Sequence, residues 1–292
     1  MVKQFLVICC ILMSTILHAQ TKGSKPVSIP FTLTPQGHIL IKANINGVTG
    51  NFIFDTGAGL NMLTKKFADK VSGLKKTDGF YTGHRATGEA IVTDVWMADS
   101  IGIGSLNLSN QVISIFDIDF PIDGLISLTP FKSTPIMIDY TKKLLIVESA
   151  ASTHQLLKAG TSIPMQLLDD RGITLCISTY IRLANALTLQ VVLDSGAGAD
   201  VFRFNARYMD KLGIDSTKTT RKYLKSEFNP SVGYNYYRTS LTAISAADGV
   251  AEKKDFNATF IDGLIYEGIT CINWLGNKIT IDVPNKRLIV AK

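Results

Sequence analysis

Residues 54–59 read Phe-Asp-Thr-Gly-Ala-Gly, and residues 193–198 read Leu-Asp-Ser-Gly-Ala-Gly. Each string follows an apolar run, Phe52-Ile53-Phe54 in the first and Val191-Val192-Leu193 in the second. Each therefore places one carboxylate, Asp55 or Asp194, just past a predicted buried strand. A hydroxyl and two glycines follow at once. Two carboxylates held about 3 Å apart cannot both ionise, so they share one proton. The ionised member can take a proton from water while the protonated member polarises a carbonyl. That chemistry is hydrolysis without a covalent intermediate, a metal or any other cofactor. A single Asp-Thr-Gly is usually a turn; the pair is what carries the reading.

The surroundings of the pair repeat as well. Asp123-Gly124-Leu125-Ile126 recurs as Asp262-Gly263-Leu264-Ile265 at the same 139-residue offset that separates Asp55 from Asp194. Further on, Ile138-Asp139 and a lysine-rich turn recur as Ile281-Asp282 and its turn at an offset of 143. The change predicts a four-residue insertion in the second half, around Tyr266 to Cys271. A period of this length is too long for a solenoid unit and reads as a duplicated domain.

Elements that must position the pair are mostly strands. His38–Ile45, Asn51–Phe54, Ser100–Gly104, Val112–Phe116, Leu144–Val147 and Leu288–Val290 alternate or run apolar between turn residues. Helical periodicity is confined to stretches such as Thr64–Val71 and Asn205–Leu212. The pattern predicts an all-β protein.

At the N-terminus, Lys3, the apolar run Phe5–Leu17 and the Leu17-His18-Ala19 site predict a cleaved signal with Gln20 as the new terminus. A retained anchor is the alternative. Ile8 before Cys9 argues against lipidation. The expected divisions are a signal over 1–19, a leader over 20–30, a first lobe over 31–148, a linker over 149–160 and a second lobe over 161–292. The leader reads either as a short pro-segment or as flexible chain.

Cys176 and Cys271 lie beyond the signal, both in the second half. They form a disulfide in an oxidising compartment or are two buried apolar side chains. Neither has a CxxC partner, so a metal site is not expected. The formal charge is +6, with the cations scattered rather than in a run with aromatics. No nucleic-acid face is expected. His38, His84 and His154 sit in no metalloprotease pattern, and no nucleophile elbow, P-loop or dinucleotide fingerprint is present.

On the strength of Asp55-Thr56-Gly57-Ala58, Asp194-Ser195-Gly196-Ala197 and the Asp-Gly-Leu-Ile boxes, the chain resembles the two-lobed bacterial branch of the retropepsin-like, or pepsin-like, aspartyl proteases. The resemblance covers roughly residues 30–292. It implies two acid-protease-like β-barrel lobes related by a pseudo-twofold axis. Asp55 and Asp194 would be catalytic. Thr56, Gly57, Ser195 and Gly196 would brace one catalytic loop against the other. It also implies a hairpin flap, for which Tyr81–Val92 is the candidate, with Tyr81 able to hydrogen-bond across the cleft; the half that carries the flap stays open. Ser127 stands where the family often has glycine, and Gly268 or Gly276 would be the delayed equivalent in the second half. The expected protein is an exported, periplasmic or extracellular endopeptidase acting on peptides or proteins. It would be a monomer, since one chain holds both loops, with no stable membrane insertion after signal cleavage. The alternative is a catalytically silent peptide-binding protein of the same fold.

Overall fold

The computed structural model describes residues 25–226, 229–246 and 249–291, so the predicted signal lies outside the described residues. The first half closes a ring of strands in the order Ile39–Ile45, Val48–Phe54, Gly124–Ile126, Asn61–Thr64, Leu106–Phe116, Ala90–Ile103, which returns to Ile39–Ile45. Thr32–Leu33 and Lys75–His84 extend this sheet. The second half repeats it as Thr174–Leu183, Leu187–Leu193, Gly268–Thr270, Phe202–Asn205, Glu252–Ile261, Gly233–Ala246 and back, extended by Gln166–Asp170 and Thr220–Lys225. The fold is all-β with two barrel lobes. Alternation drives it: along Ile39–Ile45 the isoleucines and Ala43 are buried while Lys42 is exposed.

One strand in each ring decides where the carboxylates go. Gly124–Ile126 runs parallel to Phe52–Phe54 and antiparallel to Met62 and Leu63. The chain leaving Phe54 must therefore loop over the end of this strand before returning at Asn61, and Asp55 sits on that loop. Close approach makes the glycine obligatory, because a Cβ on Gly124 would overlap the carbonyl of Met62.

The matching strand in the second half is Gly268–Thr270, parallel to Val191–Leu193. This corrects the repeat read from sequence. Asp262-Gly263-Leu264-Ile265 is a turn and loop after Glu252–Ile261, not the threaded strand. The insertion thus precedes Gly268 rather than spanning Tyr266 to Cys271. A Cβ on Gly268 would fall 2.7 Å from the ring of Phe204 and 2.9 Å from Val191. Gly268 is the counterpart of Gly124, and the counterpart of Ser127 is Cys271; neither Gly268 nor Gly276 stands at that position.

A six-stranded sheet joins the lobes in the order Val27–Pro30, Leu144–Val147, Ile136–Asp139, Lys278–Asp282, Arg287–Ala291, Gly160–Pro164. Its centre pairs Ile136 with Ile281 and Ile138 with Ile279, all fully buried. Two expected boundaries change here. Residues 27–30 of the leader are a sheet strand bonded to Leu144–Val147, since their N–H and C=O groups complete that edge. The linker contains the helix Ala150–Ala159, started by a capping box between Ser149 and Ser152. The repeated Asp139 and Asp282 are structural. Asp282 holds Arg287 at 2.7 Å and Asp139 lies 3.4 Å from Lys278, both at the ends of this sheet.

Candidate active site

The loops carrying Asp55 and Asp194 meet between the lobes. Backbone bonds hang each from its threaded strand, Asp55 N–H to Ile126 O at 2.9 Å and Asp194 N–H to Thr270 O at 2.8 Å. The hydroxyls then cross. Thr56 Oγ1 donates to Leu193 O at 2.7 Å and accepts from Ser195 N–H at 2.9 Å. Ser195 Oγ donates to Phe54 O at 2.8 Å and accepts from Thr56 N–H at 3.0 Å. Each side chain therefore satisfies two backbone groups of the opposite lobe in a buried setting. Gly57 lies beneath the other lobe's carboxylate: a Cβ there would fall 2.5 Å from Asp194 Cγ. A Cβ on Gly196 would overlap Asp55 in the same way.

Electrostatics separate the two carboxyls. Asp55 Oδ1 accepts two backbone bonds, from Gly57 at 2.8 Å and Ala58 at 3.0 Å, whereas Asp194 Oδ1 accepts one, from Ala197 at 2.9 Å. Burial raises the pKa of both. The charge of Asp55 and the hydrogen bond between the two carboxyls raise Asp194 further, well above the ordinary carboxylate range, while Arg203 draws it partly back. Its two N–H donors, the Asp194 hydrogen bond and His38 favour the ionised form of Asp55. Two N–H donors on Asp55 against one on Asp194 favour Asp55 as the ionised member of the pair.

Above the first loop stands a hairpin of Lys75–His84 and Ala90–Ile103, turned by an Arg85 N–H to Glu89 O bond of 2.9 Å. It contains the expected flap segment, Tyr81–Val92. The tip rests on the second lobe, where Ile265 N–H donates to Ala86 O at 2.9 Å and Arg85 donates to Ser226 Oγ at 3.1 Å. Ala86, with Tyr234, Tyr236 and Tyr266, packs against a cluster of Val192, Ile261, Leu264 and Ile269. Tyr81 reaches across the cleft through its ring, with the Arg171 guanidinium 5.8 Å above it, and among the described residues its hydroxyl makes no hydrogen bond. The second half projects a hairpin of its own, Thr220–Lys225 with Gly233–Ala246, so both halves carry one.

The disulfide alternative falls. Cys176 and Cys271 are free thiols. The strand Leu187–Leu193 lies between Thr174–Leu183 and the Gly268–Thr270 strand that Cys271 follows. Two strand spacings of about 4.8 Å exceed the Cα separation a disulfide spans. Cys176 Sγ instead donates to Gly57 O at 3.3 Å. Burial, with the nearby Asp55 and Asp194, pushes its thiol up to about 12.

Residues 41–129, which carry the Asp55 loop and its threaded strand, match a family model described as aspartyl protease. The match supports a retropepsin-like aspartyl protease family. No curated protein matches it. The match supports a protease-type hydrolase in general terms, and the second lobe, outside the matched residues, is built on the same strand plan. Among the described residues no group of three or more His, Cys, Asp or Glu side chains is placed to hold a metal ion, and no helix is long and apolar enough to cross a membrane.

Sequence reading missed three residues at the site: His38 and Arg203, which line a cavity with both aspartates, and Cys176 against the Gly57 carbonyl. His38 and Cys176 carried no motif to find them. Arg203 had a signal. Aligning the repeats on the threaded strand puts it opposite Met62, an arginine in place of an apolar residue in an otherwise matched strand.

Proposed function

We propose that the protein is an exported aspartic endopeptidase that hydrolyses peptide bonds with a water activated between Asp55 and Asp194. The asymmetric bonding of the two carboxyls is the observation that supports this reading. Asp55, ionised, takes a proton from the water. The hydroxide oxygen attacks the scissile carbonyl carbon as the proton on Asp194 moves toward the carbonyl oxygen. The resulting tetrahedral gem-diol collapses: the C–N bond breaks, the amine leaves with the proton held by Asp55, and one hydroxyl returns its proton to Asp194. Thr56 and Ser195 hold the two catalytic loops against each other, and the flap, tied to Ile265, excludes bulk water from the developing charge. Substrates are peptides or proteins lying under the flap. The monomer is complete, because both loops come from one chain. Residues 1–19 support export by their sequence.

The test is incubation of the chain starting at Gln20 with a peptide library, with and without a transition-state-mimicking inhibitor such as pepstatin. Cleavage that stops with the inhibitor, and that is abolished by Asp55→Asn and by Asp194→Asn, is the expected result. Near-normal turnover in either variant would refute the two-carboxylate mechanism. Peptides bound but uncut by the wild type would mark a silent binding protein instead.

A further inference from the structure

A cavity adjoins each catalytic loop, and the two differ in chemistry. The first-lobe cavity, about 170 Å³, lies beyond Ala58 and is lined by Leu60, Met62, Ile91, Phe116 and Leu125. The second-lobe cavity, about 700 Å³, lies beyond Ala197 and contains both aspartates, His38 and Arg203. Met62 and Arg203 hold the same register position. Met62 pairs with Leu125 and Arg203 with Ile269, and these partners lie beside Ile53 and Val192 in the matching parallel pairs. A thioether on one side of the scissile position thus faces a guanidinium on the other.

No carboxylate holds the guanidinium at ion-pair distance. Among the described residues Arg203 makes no ion pair, and the carboxyl it faces in the cavity belongs to the proton-sharing dyad. Asp200 lines the same cavity but is held by Lys253 at 2.6 Å. His38 adds a second unmet polar atom: its Nδ1 is buried without a hydrogen-bond partner. A fixed cation and an unpaired imidazole nitrogen in one cavity match a carboxylate, which a guanidinium binds through paired N–H donors. Without Arg203 the net negative charge of the dyad would repel such a group.

We propose that the second-lobe cavity is a subsite for an acidic residue. The protein then cuts peptides with an apolar side chain on one side of the scissile bond and Asp or Glu on the other. The proposal rests on the proteolytic reading above, and its test separates the two.

The experiment uses peptide pairs with an apolar residue on one side of the cleaved bond and Glu or its isostere Gln on the other, in both orientations. In one orientation the wild type should cut the Glu peptide with a kcat/KM about ten- to a hundred-fold above that of the Gln peptide, as expected for a charge-assisted hydrogen bond. Arg203→Met, which copies the first lobe, should bring the ratio to about one or below, and Arg203→Lys should keep part of it. Thermal melts establish that each variant is folded, and Arg203→Gln replaces the methionine variant if that one is not. Equal cutting of Glu and Gln peptides by the wild type, or a ratio unchanged in Arg203→Met, overturns the subsite and leaves the protease standing. If nothing is cut, calorimetry with the same pairs decides. A Glu preference lost in Arg203→Met upholds the subsite and sinks the proteolytic reading, and no preference sinks the subsite.

Discussion

Removing one hydroxyl from the brace between the catalytic loops should cost more than its size suggests. Thr56 is fully buried and Ser195 is 3% exposed. In Thr56→Ala, Leu193 O and Ser195 N–H lose the partners they hold at 2.7 Å and 2.9 Å. A buried polar group left unpaired costs roughly 1–3 kcal/mol, so the pair amounts to about 2–6 kcal/mol. That is a large share of a stability of about 5–15 kcal/mol. Thr56→Ser keeps the hydroxyl and loses one methyl, worth about 0.8 kcal/mol. The difference between the two variants isolates the brace. Urea unfolding followed by tryptophan fluorescence is well placed to read it, because Trp274 donates to Thr270 Oγ1 at 3.2 Å beside the second loop while Trp96 reports on the first lobe. The double variant Thr56→Ala with Ser195→Ala should lose at least about 1 kcal/mol less than the sum of the singles. With both hydroxyls gone the loops part and water reaches the orphaned groups. An alanine variant within about 0.5 kcal/mol of the serine variant would refute the reasoning.

Asp194→Asn should unfold at higher urea than the wild type at neutral pH while losing turnover. The folded protein holds a proton on Asp194 that the unfolded chain releases, so wild-type stability falls as pH rises above the ordinary carboxylate value of 3.8; asparagine cannot ionise, and parallel pH profiles for the two proteins would contradict this. Ala58→Ser with Ala197→Ser adds a hydroxyl donor beside each carboxylate, next to the N–H groups already bonded at 3.0 Å and 2.9 Å. Such donors favour the ionised form, so the shared proton leaves at lower pH and the upper limb of the pH–rate profile moves toward acid. A limb that stays or moves upward, or a wild type active only in strong acid, would count against it.

Much of this was legible because the repeat encodes it. The apolar run before each Asp-(Thr/Ser)-Gly, the alternation of the long strands and the turn residues between Tyr81 and Val92 are local signals, and each became the element it predicted. The Asp-Gly-Leu-Ile boxes misled because a string match is blind to pairing. Asp123 accepts the Asn51 N–H at 2.8 Å, whereas Asp262 binds the side chain of Asn235 at 2.9 Å in a different loop. Only parallel pairing with Val191–Leu193 picks out Gly268. The strand at Val27–Pro30 and the helix in the linker were hidden for a related reason. The strand is short and gains its order from a distant edge, and the helix from its capping box rather than from an apolar stripe.

The sheet that joins the lobes also sets a timetable. Ile136–Asp139 has on one side Leu144–Val147, made moments later, and on the other Lys278–Asp282, made only after the strands of the second ring. When translation has passed the first lobe, that lobe still presents a row of unpaired backbone groups flanked by Ile136 and Ile138. At typical rates of synthesis the edge waits on the order of ten seconds for its partner. Until then it is a template for any other extended chain, including another nascent copy of itself. The first lobe is complete in sequence long before it is complete as a surface, so whatever shields nascent chains must act on it first.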